Sequence, residues 1–193
     1  MNNDFSVLSG IIKKRRSIKP ALFNGNKIPD ELIEQLLELA DWAPTHTFSE
    51  PWRFVVYAGK KVNAFSRLHA LLYQQLTAAE KFMQGKFDSI IANGETSSHL
   101  IVCMMKRSNE KIPAIEEIAA ASCAVQNILL GAAALDIATL WSTGGMTLTP
   151  AMKNHFQLNE QDEILGILFL GKTDEQVEGK RKIALSEKIV WEK

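Results

Sequence analysis

Three clusters in this sequence have the residue types to do chemistry. Arg15-Arg16-Ser17-Ile18-Lys19 places two guanidinium forks, a hydroxyl and an ammonium just beyond an apolar-periodic segment. Such charge-assisted donors suit a phosphate, because one arginine can give two parallel hydrogen bonds from a planar group. A solvated basic patch complementing a helix C-terminus accounts for the same residues equally simply. Further on, Ala43-Pro44-Thr45-His46-Thr47-Phe48-Ser49-Glu50-Pro51-Trp52-Arg53-Phe54 runs from a helix end through a polar loop into an apolar strand. Loops held between rigid elements are where binding groups tend to sit. His46 there either bonds the edge of a heterocycle or faces water, and Trp52 reads as a core anchor because an apolar strand follows. The third cluster, Trp141-Ser142-Thr143-Gly144-Gly145, ends a strand with hydroxyls and glycines. Glycines let a backbone approach a ligand closely, and they also make ordinary turns. Two loops and one cationic cluster, each at the end of a regular element, point to a single anionic, aromatic ligand.

The elements that must position these clusters follow from periodicity. Phe5, Leu8, Ile11 and Ile12 recur at helical spacing, with Lys13 to Arg16 where cations complement a helix C-terminus. A second helix opens at Pro29, carries Asp30 and Glu31 in its first turn, lines one face with Leu32, Leu36, Leu39 and Ala43, and stops at Pro44. Asp30, Glu31, Glu34 and Glu38 read as its solvated side. Residues 54–57 form a buried strand, and residues 61–93 are helical with Ala64, Leu68, Leu71 and Leu72 on one face. The apolar run 100–105 suits a strand covered on both faces. Residues 114–135 form the longest helix, Ala-rich and apolar around most of its circumference, so protein must surround it, either the core or a partner subunit. Residues 137–141 and 164–170 are two further strands. Helices alternating with strands give a three-layer α/β or α+β sandwich. A charged tail, ending in Ile189-Val190-Trp191, is a frayed terminus or an arm that packs on a second subunit.

Composition narrows the function. The 193 residues are 46% hydrophobic and 23% charged, as in an ordinary globular domain. Lys plus Arg balances Asp plus Glu at 22 each, so no global field recommends nucleic acid or an anionic membrane. Any anion site is therefore local. Cys103 and Cys123 lie in apolar sequence and read as reduced core thiols, which suits a cytoplasmic location. No CxxC, HExxH, GxGxxG or P-loop pattern occurs, and no serine sits in a nucleophile elbow. The apolar stretch 118–135 is interrupted by Ser122, Gln126 and Asn127 and reads as a buried helix, not a membrane span.

Taken jointly and in order, these pieces resemble the flavin-dependent nitroreductase family, in its compact YdjA-like branch. The likeness rests on Arg15-Arg16-Ser17 after a short helix, Ile28-Pro29-Asp30-Glu31-Leu32 opening the second, and Ala43-Pro44-Thr45-His46 with Ser49-Glu50-Pro51-Trp52-Arg53-Phe54. The Ala-rich helix, Trp141-Ser142-Thr143-Gly144 and Ile167-Leu168-Phe169-Leu170-Gly171 complete it. The resemblance implies one α+β domain over 1–193, a nitroreductase-like three-layer sandwich whose central, mainly antiparallel sheet is flanked by helices. It also implies an interlocked homodimer with FMN at the subunit interface and residues 172–193 as an arm reaching the partner.

The same resemblance assigns residues. Arg15 and Ser17 would contact the FMN phosphate or ribityl chain, with Arg16 helping to hold that loop. Lys19 would lie near the pyrimidine edge of the flavin. His46 would approach the ring system from the other loop with Trp42 nearby, and Trp141, Ser142, Thr143 and Gly144 would line it from the second subunit. Lys180 and Lys182 are the candidates for an arm that reaches the phosphate. Glu50 stands where many members have Gln, and Lys19 where Arg is frequent. The implied reaction is ping-pong: NAD(P)H gives hydride to flavin N5, then a small-molecule acceptor such as a nitroaromatic or quinone takes the electrons. Positive charge beside the ring favours its reduced, anionic form. No side chain is expected to act as a catalytic acid or base, and no metal is expected. The alternatives are a non-catalytic FMN-binding protein for storage or sensing, and a relative using reduced flavin for dehalogenation or flavin fragmentation.

Overall fold

At the centre of the fold lies β2 (His99–Met105), every residue of which is buried. The computed structural model describes residues 3–193. It orders four strands as β1-β2-β4-β3, with β1 spanning Trp52–Ala58, β3 Ala138–Ser142 and β4 Glu163–Gly171. All three pairings are antiparallel. Alternation along β2 then sorts the core. Ile101, Cys103 and Met105 face one layer, while Leu100, Val102 and Met104 face the other. A continuous apolar run is what a strand covered on both sides requires, so the sandwich expected from residues 100–105 is present.

One layer consists of α2 (Asp30–Asp41) and α5 (Ala114–Ala134), which contribute Ile33, Leu36, Ala40, Ala121, Ala124, Val125 and Ile128 to the first core. On the opposite face α3 (Lys60–Leu76) and α6 (Pro150–His155) bring Val62, Phe65 and Met152, and α4 (Gln84–Thr96) packs on α3. The N-terminal helix α1 (Asn3–Lys14) touches α5 and has no buried residue.

Several expected faces are rotated. On α2 the buried set is Ile33, Leu36 and Ala40, and Leu39 is half-exposed. The sequence offers apolar residues on two adjacent stripes, and packing against α5 selects one. On α3 the buried stripe is Val62, Phe65, Ser66, His69, Ala70 and Tyr73, leaving Ala64 and Leu71 exposed. Helix α2 ends at Asp41, before Pro44, with Trp42 as its cap. Asp30 is not merely solvated, since it accepts a hydrogen bond from His99 Nε2 at 2.9 Å. β1 is an edge strand, so Val56 is exposed where a buried strand was expected over residues 54–57.

Helix α5 is long and apolar enough by composition to cross a membrane. It serves here as a core helix, laid across the sheet on one side. Its other side leaves Ala119, Cys123 and Gln126 exposed. Cys123 is therefore a surface thiol in this protomer, not the core residue expected, whereas burial pushes the Cys103 thiol well above its usual range. The charged arm from residue 176 onward is exposed, including Leu185, Ile189, Val190 and Trp191.

Candidate functional site

Beyond α1 the chain straightens and runs beside β3. Ser17 and Thr139 form an isolated parallel bridge, and Ile18 N–H donates to Thr139 O at 2.8 Å. Through this bridge the cationic cluster meets β3, the edge strand that ends in the Trp141–Gly144 turn. The cationic cluster and the Trp141–Gly144 turn therefore lie along one sheet edge of the same protomer.

At the start of that edge opens a cavity of about 460 Å³, walled by Arg15, Ile18, Ile137, Ala138 and Thr139 and, across from them, by residues 175–177 of the arm. The two arginines have different fates here. Arg16 is consumed internally: its guanidinium donates to Lys13 O at 2.6 Å, Arg15 O at 2.8 Å and Val177 O at 3.1 Å. Gly179 lies so close to it that a side chain there would collide with the guanidinium. The half-buried Arg15 side chain makes no hydrogen bond or ion pair among the described residues. Lys14 pairs with Asp136, whose carboxyl is held below its usual range first by that hydrogen bond and then by the Lys14 charge. Arg15 is thus the cation left to receive an anion. Cavity size and a mixed polar and apolar lining suit a cofactor-sized ligand.

The turn at the far end of β3 is also specific. The Trp141 indole N–H donates to Leu165 O at 2.8 Å, at the β2–β4 bulge, so its ring face and backbone are what remain for a ligand. Ser142 Oγ accepts from Gly144 N–H at 3.3 Å, and Thr143 and Gly144 are exposed. Lys19 is exposed and Lys180 and Lys182 extend with the arm into solvent, so within one protomer the arm lysines are not brought against Arg15 by any contact.

His46 and Trp42 sit elsewhere. His46 pairs with Glu116 in the first turn of α5, whereas the Arg15 cavity abuts Ala133 in its last turn. At 1.5 Å per residue the two points are roughly 25 Å apart along the helix. The His46 loop is tightly built: Thr45 and Ser49 hydroxyls lie 2.7 Å apart, and Glu50 N–H donates to Thr45 Oγ1 at 3.1 Å. Thr47, Phe48 and Glu50 all take left-handed φ values of 49, 57 and 40°, a conformation that costs non-glycine residues energy. Trp42 and Phe48 project outward at 82% and 89% exposure.

The family model described as Nitroreductase matches residues 12–172, the span that contains both loops, the cationic strand and the sheet. This chain belongs to the nitroreductase family. YdjA of Escherichia coli K12, a candidate NAD(P)H nitroreductase by its name, is 32% identical over 146 residues, covering 73% of this chain and 75% of that protein. A crystal structure of a nitroreductase-like family protein from Bacillus cereus superposes with a TM-score of 0.82 at 28% identity, covering 95% of each chain. A candidate nitroreductase from Desulfovibrio desulfuricans, solved in complex with FMN, has the same fold, with a TM-score of 0.73 at 20% identity over 100% of this chain and 98% of that one.

Within this nitroreductase-family framework, the sequence did not single out Thr139, Glu116 or His69. Thr139 and Glu116 act through partners distant in sequence, which no local pattern reveals. His69 left a faint signal: with Phe65 and Tyr73 it forms an i, i+4, i+8 stripe, the pattern of a buried helix face.

Proposed function

We propose that this chain is an FMN-dependent oxidoreductase that draws electrons from NAD(P)H and passes them to nitroaromatics, quinones or similar planar acceptors. The observation that carries this reading is the free Arg15 guanidinium at a cavity beside β3, the strand that the Ser17–Thr139 bridge joins to the cationic cluster and that ends in a hydroxyl-bearing turn. An anionic group suits Arg15, and the Trp141–Gly144 turn offers hydroxyls and backbone groups to a flat ring. The named relatives and the FMN complex support the choice of cofactor.

The chemistry supplied by bound FMN is two-electron transfer from NAD(P)H to the acceptor in a ping-pong cycle. The chain's own residues bind and tune. Arg15 neutralises the phosphate with charge-assisted hydrogen bonds, and Ser17 adds a hydroxyl beside it. Lys19 sets positive charge along the ring edge, where it favours added negative charge. Ser142, Thr143 and Gly144 offer hydroxyls and backbone groups, and Trp141 walls the far end. Arg16 holds the root of the arm that carries Lys180 and Lys182. No side chain is asked to gain or lose a proton. Such a protein operates in the cytoplasm, where NAD(P)H is supplied.

The working form is a homodimer. His46 lies at the opposite end of α5 from Arg15, so one compact ligand meets both only when two copies pack with that helix antiparallel about a two-fold axis. Phe5, Val7, Leu8 and Ile12 on α1, all exposed in the single protomer, supply apolar surface for such packing.

An absorption spectrum of the purified protein, before and after anaerobic NADPH, tests this. Visible flavin bands that bleach, and that return on adding a nitroaromatic, are expected. Flavin that stays oxidised would point to a binding protein, and a colourless chain that takes up no FMN would end the reading.

A further inference from the structure

His69 ties the 142–146 turn to the helical layer beneath it. It stands on α3, is 5% exposed, and has no part in the functions assigned above. Its Nε2 accepts a hydrogen bond from Met146 N–H at 2.8 Å. Gly145 lies against the same ring with φ of +67°, and a Cβ there would come within 2.5 Å of Nε2. A side chain at 145 is therefore disfavoured by backbone conformation and by space. The turn's other hydrogen bonds are local: Thr147 Oγ1 donates to Gly144 O at 2.6 Å, and Thr149 N–H donates to Met146 O at 3.1 Å.

We propose that His69 is a positioning residue whose Nε2 locks the 142–146 turn, and so sets where Ser142, Thr143 and Gly144 present their groups to the ligand. Accepting at Nε2 requires the neutral tautomer with its proton on Nδ1. An imidazolium would set two donors against each other and open the lock. Burial lowers the His69 pKa to about 4, with the Lys86 charge adding to it, so the lock is closed at neutral pH. The neighbouring titratable group on α6 is His155; the Phe65 ring lies 6.4 Å from both histidines.

The ligand's identity rests on the flavin reading, but the lock does not, and the experiment separates them. His69→Leu and His69→Gln are compared with the wild-type full chain for amide exchange at Met146 without cofactor, and for FMN affinity. The leucine variant is expected to speed Met146 exchange and weaken FMN by about tenfold each, with glutamine, which keeps an acceptor, restoring both to within about threefold. A folded His69→Leu protein with wild-type Met146 exchange and FMN affinity would overturn the proposal. If the leucine variant does not fold, Gly145→Ala tests the same contact from the turn's side: faster Met146 exchange supports the lock and unchanged exchange overturns it. If the wild type takes up no FMN, the flavin reading fails and Met146 exchange alone decides the lock.

Discussion

The Arg16 guanidinium donates to the main-chain carbonyl of Val177 at 3.1 Å, joining the N-terminal cationic strand to the root of the C-terminal arm. Arg15, its neighbour, is left free beside the cavity those two segments enclose. Two adjacent arginines thus divide the work, one building the wall and the other facing what binds within it.

Removing them should have separable effects. Arg16→Ala is expected to release the arm, which limited proteolysis would register as faster cleavage after residue 177. Arg15→Ala should leave that cleavage unchanged and cost about 1.5–3 kcal/mol of FMN binding, or roughly 10- to 150-fold in Kd. Equal effects of the two substitutions on both readouts would contradict the division.

The dimeric site can be tested by mixing. Arg15→Ala and His46→Ala homodimers should each bind FMN weakly. Subunits exchanged between them should regain tight binding, because one of the two sites in a mixed dimer receives both wild-type halves. A monomer in sedimentation at micromolar concentration, or no recovery on exchange, would rule the shared site out.

Stability should fall in mild acid through His69. Its folded pKa of about 4 lies below the ordinary value of 6.5, so the unfolded chain takes up a proton first as pH falls. The contribution is fully present above pH 6.5 and is lost by pH 4, amounting to about 3 kcal/mol by linkage. Urea midpoints measured across that window should drop in the wild type and flatten in His69→Gln.

Arg107 and Glu117 form a buried ion pair at the start of α5. Glu117 also accepts from Ser108 N–H at 3.0 Å and from its hydroxyl at 2.6 Å, and Arg107 donates to Ile112 O at 2.8 Å. Replacing one partner, as in Glu117→Leu, should cost about 3–5 kcal/mol because the other charge is left buried and unpaired. The double variant Arg107→Met with Glu117→Leu should cost less than the sum, which a double-mutant cycle by urea unfolding would show. The exposed His46–Glu116 pair should contribute under about 1 kcal/mol by the same method.

Much of the fold was legible because burial leaves a periodic trace. The run from Leu100 to Met105 announced a strand covered on both faces, and the Ala-rich stretch announced α5 almost to the residue. The phase of α2 and α3 was not legible. Their apolar residues occupy two neighbouring stripes, and only the opposing helix or strand chooses between Leu39 and Ala40. The strand at Phe54 looked buried because apolar residues at a sheet edge are written in the same letters as those at its centre.

The sequence by itself determined the residue types at the candidate site and the order of elements that carry them, since both are local properties of the chain. Tertiary structure alone decided which residues meet. It set Ser17 beside Thr139 on β3, turned Arg16 inward to Val177, and placed His46 at the far end of α5 from Arg15. The reason is physical: backbone pairing and helix packing join segments from 70 to 161 residues apart, and no local pattern of side chains encodes that distance.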